Sequence, residues 1–223
     1  MRVPCERPDE KPWSRALSIR ISLPLDEDSS DLDTKYINEA AEKKRLLATS
    51  KCDFSRCSIK SMKALRSLPE EAAIVMFTPF VIPVGYENAS TETLRHVDPF
   101  EPLGRALADI HANIQHVPYA PSVGFTETHR AFVQHCDAII TIVCEPEHPA
   151  KNNNISSQCS FAKEAAVTLS AKRTRPAGTC VLVLCGDDMK WEPRDELFPN
   201  VIQATTYNCD VAKILARTIM GFH

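Results

Sequence analysis

Glycine is scarce in this chain, with six residues in 223. None falls into a G-x-G-x-x-G or G-x-x-x-x-G-K-[ST] string, so a glycine loop cradling a nucleotide phosphate is excluded. There is no G-x-S-x-G elbow either, which removes the serine hydrolases of the α/β type. No stretch approaches the ~18 apolar residues of a membrane-spanning helix. The first ten residues, Met1 to Glu10, lack the apolar run of a secretory leader. An excess of positive charge is missing too: the formal net charge is -3, and the densest basic run, Lys172-Arg173-Thr174-Arg175, stops at Pro176 as a solvated loop would. The expectation is a cytoplasmic protein without a nucleic-acid or membrane partner.

Paired metal-ligand spacings are also wanting. The nine cysteines are an odd set spread over the chain. Only Cys52 and Cys57 are close, and their C-x4-C spacing has neither a second pair nor paired histidines, so no zinc and no other cofactor is expected. Several cysteines sit inside apolar runs and read as reduced thiols that fill core space.

What the chain does contain is the material of a packed core: 43% hydrophobic and 25% charged residues, with sixteen prolines that suit defined loops. Residues 1–71 read as an N-terminal extension, partly disordered, with one edge-strand alternation over Leu17–Leu23 and two helices, Asp31–Ser50 and Ser58–Leu68. The second helix carries Ile59, Met62, Leu65 and Leu68 on one face and stops at Pro69. From Ala72 the texture changes. Five short apolar runs appear, at 72–77, 114–119, 138–144, 179–185 and 201–205. Helical segments follow most of them, at 101–113, 127–136, 156–171 and 210–220. Continuous β-branched runs mean strands buried on both faces, as in a parallel sheet covered by helices. Residues 72–223 therefore read as a three-layer α/β/α sandwich with a mostly parallel sheet of about five strands.

In open α/β sheets, ligands sit beyond the carboxyl ends of the strands. That rule selects Thr78, the Tyr119–His129 loop, Glu145 to His148, Gly186-Asp187-Asp188 and Thr205 to Asn208. Gly124 and the N-cap candidate Thr126 open a helix whose free N–H groups would favour an anion or a hydroxyl-rich ligand. His129 in its first turn reads first as a helix-terminal histidine bonded to a neighbouring loop, and second as a ligand-facing group. Glu145 and Glu147, one residue apart after the strongest strand, are the candidate catalytic pair, set against the plain reading of solvated loop carboxylates. Asp187, Asp188 and Thr206 complete the ligand-binding candidates, although Gly-Asp-Asp after a strand is also ordinary turn chemistry. Cys144 and Cys185, at strand ends, are the only candidates for a reactive thiolate, and burial as small apolar residues is the simpler reading.

Three strings then carry a family likeness. Asp98-Pro99-Phe100-Glu101-Pro102-Leu103-Gly104-Arg105-Ala106-Leu107, Ile114-Gln115-His116-Val117-Pro118-Tyr119 and Gly124-Phe125-Thr126-Glu127-Thr128-His129-Arg130-Ala131-Phe132 resemble the C-terminal α/β domain of fungal glycoside hydrolase family 3 proteins of the β-N-acetylhexosaminidase type. Phe77-Thr78-Pro79 and Phe198 to Gln203 are similar to the same domain. The resemblance implies a carbohydrate-processing lineage and, as partner, a glycosidase barrel domain or a carbohydrate-like ligand. It also implies a limit. In that family the catalytic residues lie on a separate (β/α)8 barrel of ~250 residues, which this chain cannot hold beside the sandwich. No catalytic residue carries over, and the expected role is a domain that is non-catalytic alone. The alternatives are a small enzyme on N-glycosides or nucleosides, deoxyribosyltransferase-like or glycosidase-like and using Glu145 and Glu147, or a protein-interaction module.

Overall fold

The structure is a computed structural model and describes residues 52–84, 86, 98–147, 155–172, 179–186, 189 and 197–221. All of them belong to the compact unit Glu42–His223. The expected strand at 17–23 and helix at 31–50 lie outside the described residues, as do Asp187, Asp188 and His148.

In chain order the elements are β1 (Cys52–Cys57), α1 (Ile59–Arg66), β2 (Ile74–Pro79), α2 (Glu101–Ala108), β3 (Ile114–Tyr119), α3 (Glu127–His135), β4 (Ala138–Cys144), α4 (Ile155–Ser170), β5 (Thr179–Cys185), β6 (Asn200–Ala204) and α5 (Cys209–Met220). The strands form one sheet in the order β1-β6-β5-β4-β2-β3. All neighbours are parallel except β1, which runs antiparallel to β6. The architecture is the α/β sandwich read from the sequence, with six strands in place of about five.

The sixth strand corrects the reading that the sheet begins at Ala72. Cys52–Cys57 alternates half-buried and exposed residues, so it has only one weakly apolar face and shows no continuous run. Its junction with α1 is sewn to the far end of the domain. The Ser58 N–H donates to the Pro199 carbonyl and to Asn200 Oδ1, both at 3.0 Å. The Asn200 amide, fully buried, donates in turn to Ser61 Oγ at 2.8 Å. Ile59, expected on the apolar face of α1, is 81% exposed, while Met62 and Leu65 are buried.

Alternate residues of the central strands feed two cores. Ile74, Met76, Ile140, Ile142, Val181, Val183 and Ile202 face α1, α2 and α5. Val75, Phe77, Ile139, Val143, Leu182 and Leu184 face α3 and α4. Ile140, Ile142, Val181 and Val183 are fully buried, as continuous apolar strands require.

A cation clips a helix end in each outer layer. Arg66 donates to the Ile219 and Thr218 carbonyls at 3.1 and 2.7 Å. Lys172 donates to the Val133 and Cys136 carbonyls, both at 2.8 Å. These satisfy last-turn carbonyls that a helix leaves without partners. Gly221 ends α5 at φ +83°, and an added Cβ there would meet Arg66 Nε at 2.6 Å, so glycine is needed for both conformation and space.

Candidate functional site at the carboxyl edge of the sheet

From β2 the chain moves outward to β3; from β4 it moves the other way through β5 to β6. The boundary between β2 and β4 is therefore the topological switch point, where the carboxyl ends of an open α/β sheet leave a crevice. The β2–β4 ladder runs only from Ile74↔Ala138 to Phe77↔Thr141. Past Thr141, the β2 side of β4 has no strand partner among the described residues.

Two side chains take its place. The Tyr119 hydroxyl, at the end of β3, donates to the Ile142 carbonyl at 3.0 Å. Gln158, from the first turn of α4, accepts from the Cys144 N–H at 2.9 Å and donates to the Cys144 carbonyl at 3.0 Å. Both side chains are buried. Tyr119 lies flat on Phe161, with ring centroids 3.7 Å apart and planes at 5°. Gln158 was legible in one respect: with Phe161, Ala162, Ala165, Ala166 and Leu169 it falls on the buried stripe of α4. A polar side chain on that stripe calls for a polar partner across the interface.

The loop after β2 closes the crevice from above. Pro83 bridges Pro146 in antiparallel fashion. The Val84 N–H donates to the Glu145 carbonyl at 2.9 Å, and the Glu147 N–H to the Ile82 carbonyl at 2.9 Å. The candidate pair Glu145 and Glu147 thus sits on a segment that serves as a short strand partner. Glu145 is half-buried and Glu147 exposed. Glu145 packs against Gly186, where an added Cβ would lie 2.9 Å from Glu145 Cβ.

The other candidates have internal tasks. Thr78 is buried, and its hydroxyl lies 2.8 Å from His116 Nε2. The same ring nitrogen is 3.5 Å from Asp98 Oδ2. A nucleophile–base–orienter relay needs the hydroxyl and the carboxylate on opposite ring nitrogens, so this cluster is not one. Burial lowers the His116 pKa, and the carboxylates of Asp98 and Glu101 oppose that shift. His116 and Asp98 did not stand out in the sequence, because the tie between β3 and the start of α2 is long-range.

Gly124 takes φ +75° in the turn before α3. Thr126 caps that helix, and its N–H donates to His129 Nδ1 at 3.0 Å. As the acceptor of that bond Nδ1 carries no proton, and the ring also has a hydrogen bond with the Pro118 backbone. His129 is buried among Phe77, Phe125 and Phe161. Burial lowers its pKa, with the Pro118 carbonyl opposing. This is the capping arrangement with histidine in the usual Glu or Gln place, and it matches the helix-terminal reading. Thr206 stands half-buried in the turn from β6 to α5.

The candidate thiols Cys144 and Cys185 are the opposite of reactive. Burial raises the pKa of Cys144 and Cys185 well above the ordinary value, and pushes Cys52 and Cys136 up to about 11. At neutral pH these are protonated core side chains. Cys52 turns toward the core at one end of β1 while Cys57 is exposed at the other, so the two do not converge on one ion. Among the described residues no cluster of three metal-ligating side chains occurs.

No protein-family model matches the chain, and no curated protein sequence is significantly similar to it. Its fold does recur among solved structures. The β-glucosidase from Listeria innocua in complex with isofagomine superposes with a TM-score of 0.54 at 13% identity, over 88% of this chain and 27% of that one. The same enzyme in complex with glucose gives 0.50 at 14% identity, over 76% and 23%. A glycoside hydrolase family 3 β-N-acetylglucosaminidase from Paenibacillus sp. gives 0.47 at 13% identity, over 93% and 33%. This chain thus spans only about a quarter of the length of the β-glucosidase it resembles, and at such identities the likeness is one of fold.

Proposed function

We propose that this chain is a non-catalytic accessory domain of the glycoside hydrolase family 3 kind, working in the cytoplasm beside a separate glycosidase barrel or on a carbohydrate-like ligand. The observation that carries the reading is the occupied switch point. Tyr119 and Gln158 hold the backbone groups that a ligand would otherwise meet, and the loop from β2 is pinned across Glu145 and Glu147. A retaining glycosidase needs two carboxyl groups ~5–5.5 Å apart on either side of a scissile bond, in a cleft that excludes water. Here one of the two glutamates is exposed and both flank a self-paired loop.

The same edge carries exposed apolar side chains. Phe80 (76% exposed) and Val84 follow β2, Val123 (68% exposed) follows β3, and Ile155 opens α4. Exposed apolar groups gathered on one edge suit contact with another folded unit better than contact with water. The length relation adds support, since the fold shared with the glycosidases is only part of each of those chains.

Purified protein should show no turnover of aryl N-acetylglucosaminide, aryl glucoside or nucleosides. Turnover that disappears in the Glu145→Gln, Glu147→Gln double variant would replace this reading with a small independent enzyme.

A further inference from the structure

We propose that the groove between α2 and α5 is the surface through which two copies of this chain pair about a two-fold axis. The groove holds about 590 Å3. Its floor is Pro102, Ala106, Ile110 and Ala216, and its walls carry Glu101, Arg105 and Asp109 on the α2 side and Lys213 and Arg217 on the α5 side. On α2, Glu101 is already bound to Arg105 at 2.6 Å, which leaves Asp109 as the unmatched charge. On α5, Lys213 and Arg217 are both cationic. None of these three has an ion-pair partner among the described residues.

The α5 cations stand four residues apart, so they share one side of the helix and repel each other. An isolated helix gains nothing from that spacing; a neighbour bringing carboxylates across it would. Asp109 lines the same groove without pairing to either cation, so among the described residues nothing closes the groove. A two-fold axis along the groove lays α2 of one copy over α5 of the other. Each Asp109 then meets the partner copy's cations, and the contact is made twice, as an isologous interface requires. Ile214, on the same helix, is 37% exposed and adds an apolar contact at the rim. Ala106, half-buried in the groove, has a small side chain that lets a helix approach closely.

Size sets the strength. Twelve residues make α5 roughly 18 Å long, and two helices side by side are roughly 20 Å wide. The footprint of a few hundred Å2 per copy lies below the ~800 Å2 of a standard interface. The pairing is therefore reversible and weakened by salt.

Sedimentation of the full chain over a range of concentrations tests this. A monomer–dimer equilibrium that shifts toward monomer in high salt is expected. Asp109→Lys alone, and Lys213→Asp with Arg217→Asp, should each raise the dissociation constant by roughly tenfold or more. The three substitutions together restore opposite signs and should recover pairing. Circular dichroism of each variant separates lost pairing from lost folding, and either arm alone suffices if the other variant is unfolded. A chain that stays monomeric throughout, or a dimer indifferent to both reversals, overturns the proposal.

Discussion

On its β5 side, strand β4 keeps its ladder over its full length, from Ala138↔Thr179 to Cys144↔Cys185. On its β2 side the ladder stops at Phe77↔Thr141. Beyond that point Tyr119 and Gln158 supply hydrogen bonds that a strand would have made. One flank is held by main chain, the other by two side chains on different elements. The difference teaches that a switch point need not be a ligand site: its backbone groups must be satisfied, and a chain can satisfy them itself.

The largest effect should come from the side chain that props the substituted flank. Phe161 is buried against Phe77, Tyr119 and Phe125. Phe161→Ala should cost about 3–5 kcal/mol in urea unfolding, by lost burial plus the cavity left behind.

Gln158→Leu should cost about 2–4 kcal/mol in the same measurement, because it strands both polar groups of Cys144. Tyr119→Phe removes one bond and should cost about 1–2 kcal/mol. If the two side chains act as one substitute strand, the double variant will depart from additivity. Strict additivity would mean that each merely fills its own gap.

A pH series sharpens the comparison further. His129 is held neutral, with its folded pKa below the ordinary 6.5. In the window between the two values the unfolded chain binds more protons than the folded one. The stability tied to the neutral ring is thus complete above about pH 6.5 and is lost as pH falls through the folded value. His116 is shifted in the same direction and adds to the loss. His129→Gln keeps an acceptor for the Thr126 N–H and should flatten the fall in stability seen by denaturation at successive pH values. An unchanged slope would assign the effect to His116.

The smallest effect is expected where the sequence first pointed. Glu145→Gln with Glu147→Gln should move stability by no more than about 0.5 kcal/mol, because the loop is held through its backbone.

The layered fold was legible because the apolar runs at 138–144 and 179–185 coincide with the fully buried β4 and β5. Buried parallel strands announce themselves locally. β1 did not, since an edge strand with one covered face has no such run. The site followed the same division. The switch-point rule led to the carboxyl edge of the sheet at β2 and β4, and the helix-start pattern led to Thr126 and His129. The tasks of Thr78, Gln158 and Tyr119 stayed hidden. Each partner lies on another strand or helix, and no spacing along the chain encodes which backbone carbonyl a buried side chain will reach.

The pairing of β1 with β6 also bears on how the domain is made. Among the described residues Cys52–Cys57 is the earliest strand of the sheet, and its partner, Asn200–Ala204, is the last. On a ribosome, β1 emerges long before the segment that completes its hydrogen bonds. The nascent chain therefore carries an unmated strand until residues 200–204 have been made, and the sheet closes only in a late, long-range step. Such closure is slow and leaves strand edges exposed in the meantime. Assisted folding, or a pause after residue 204, would be felt first at β1.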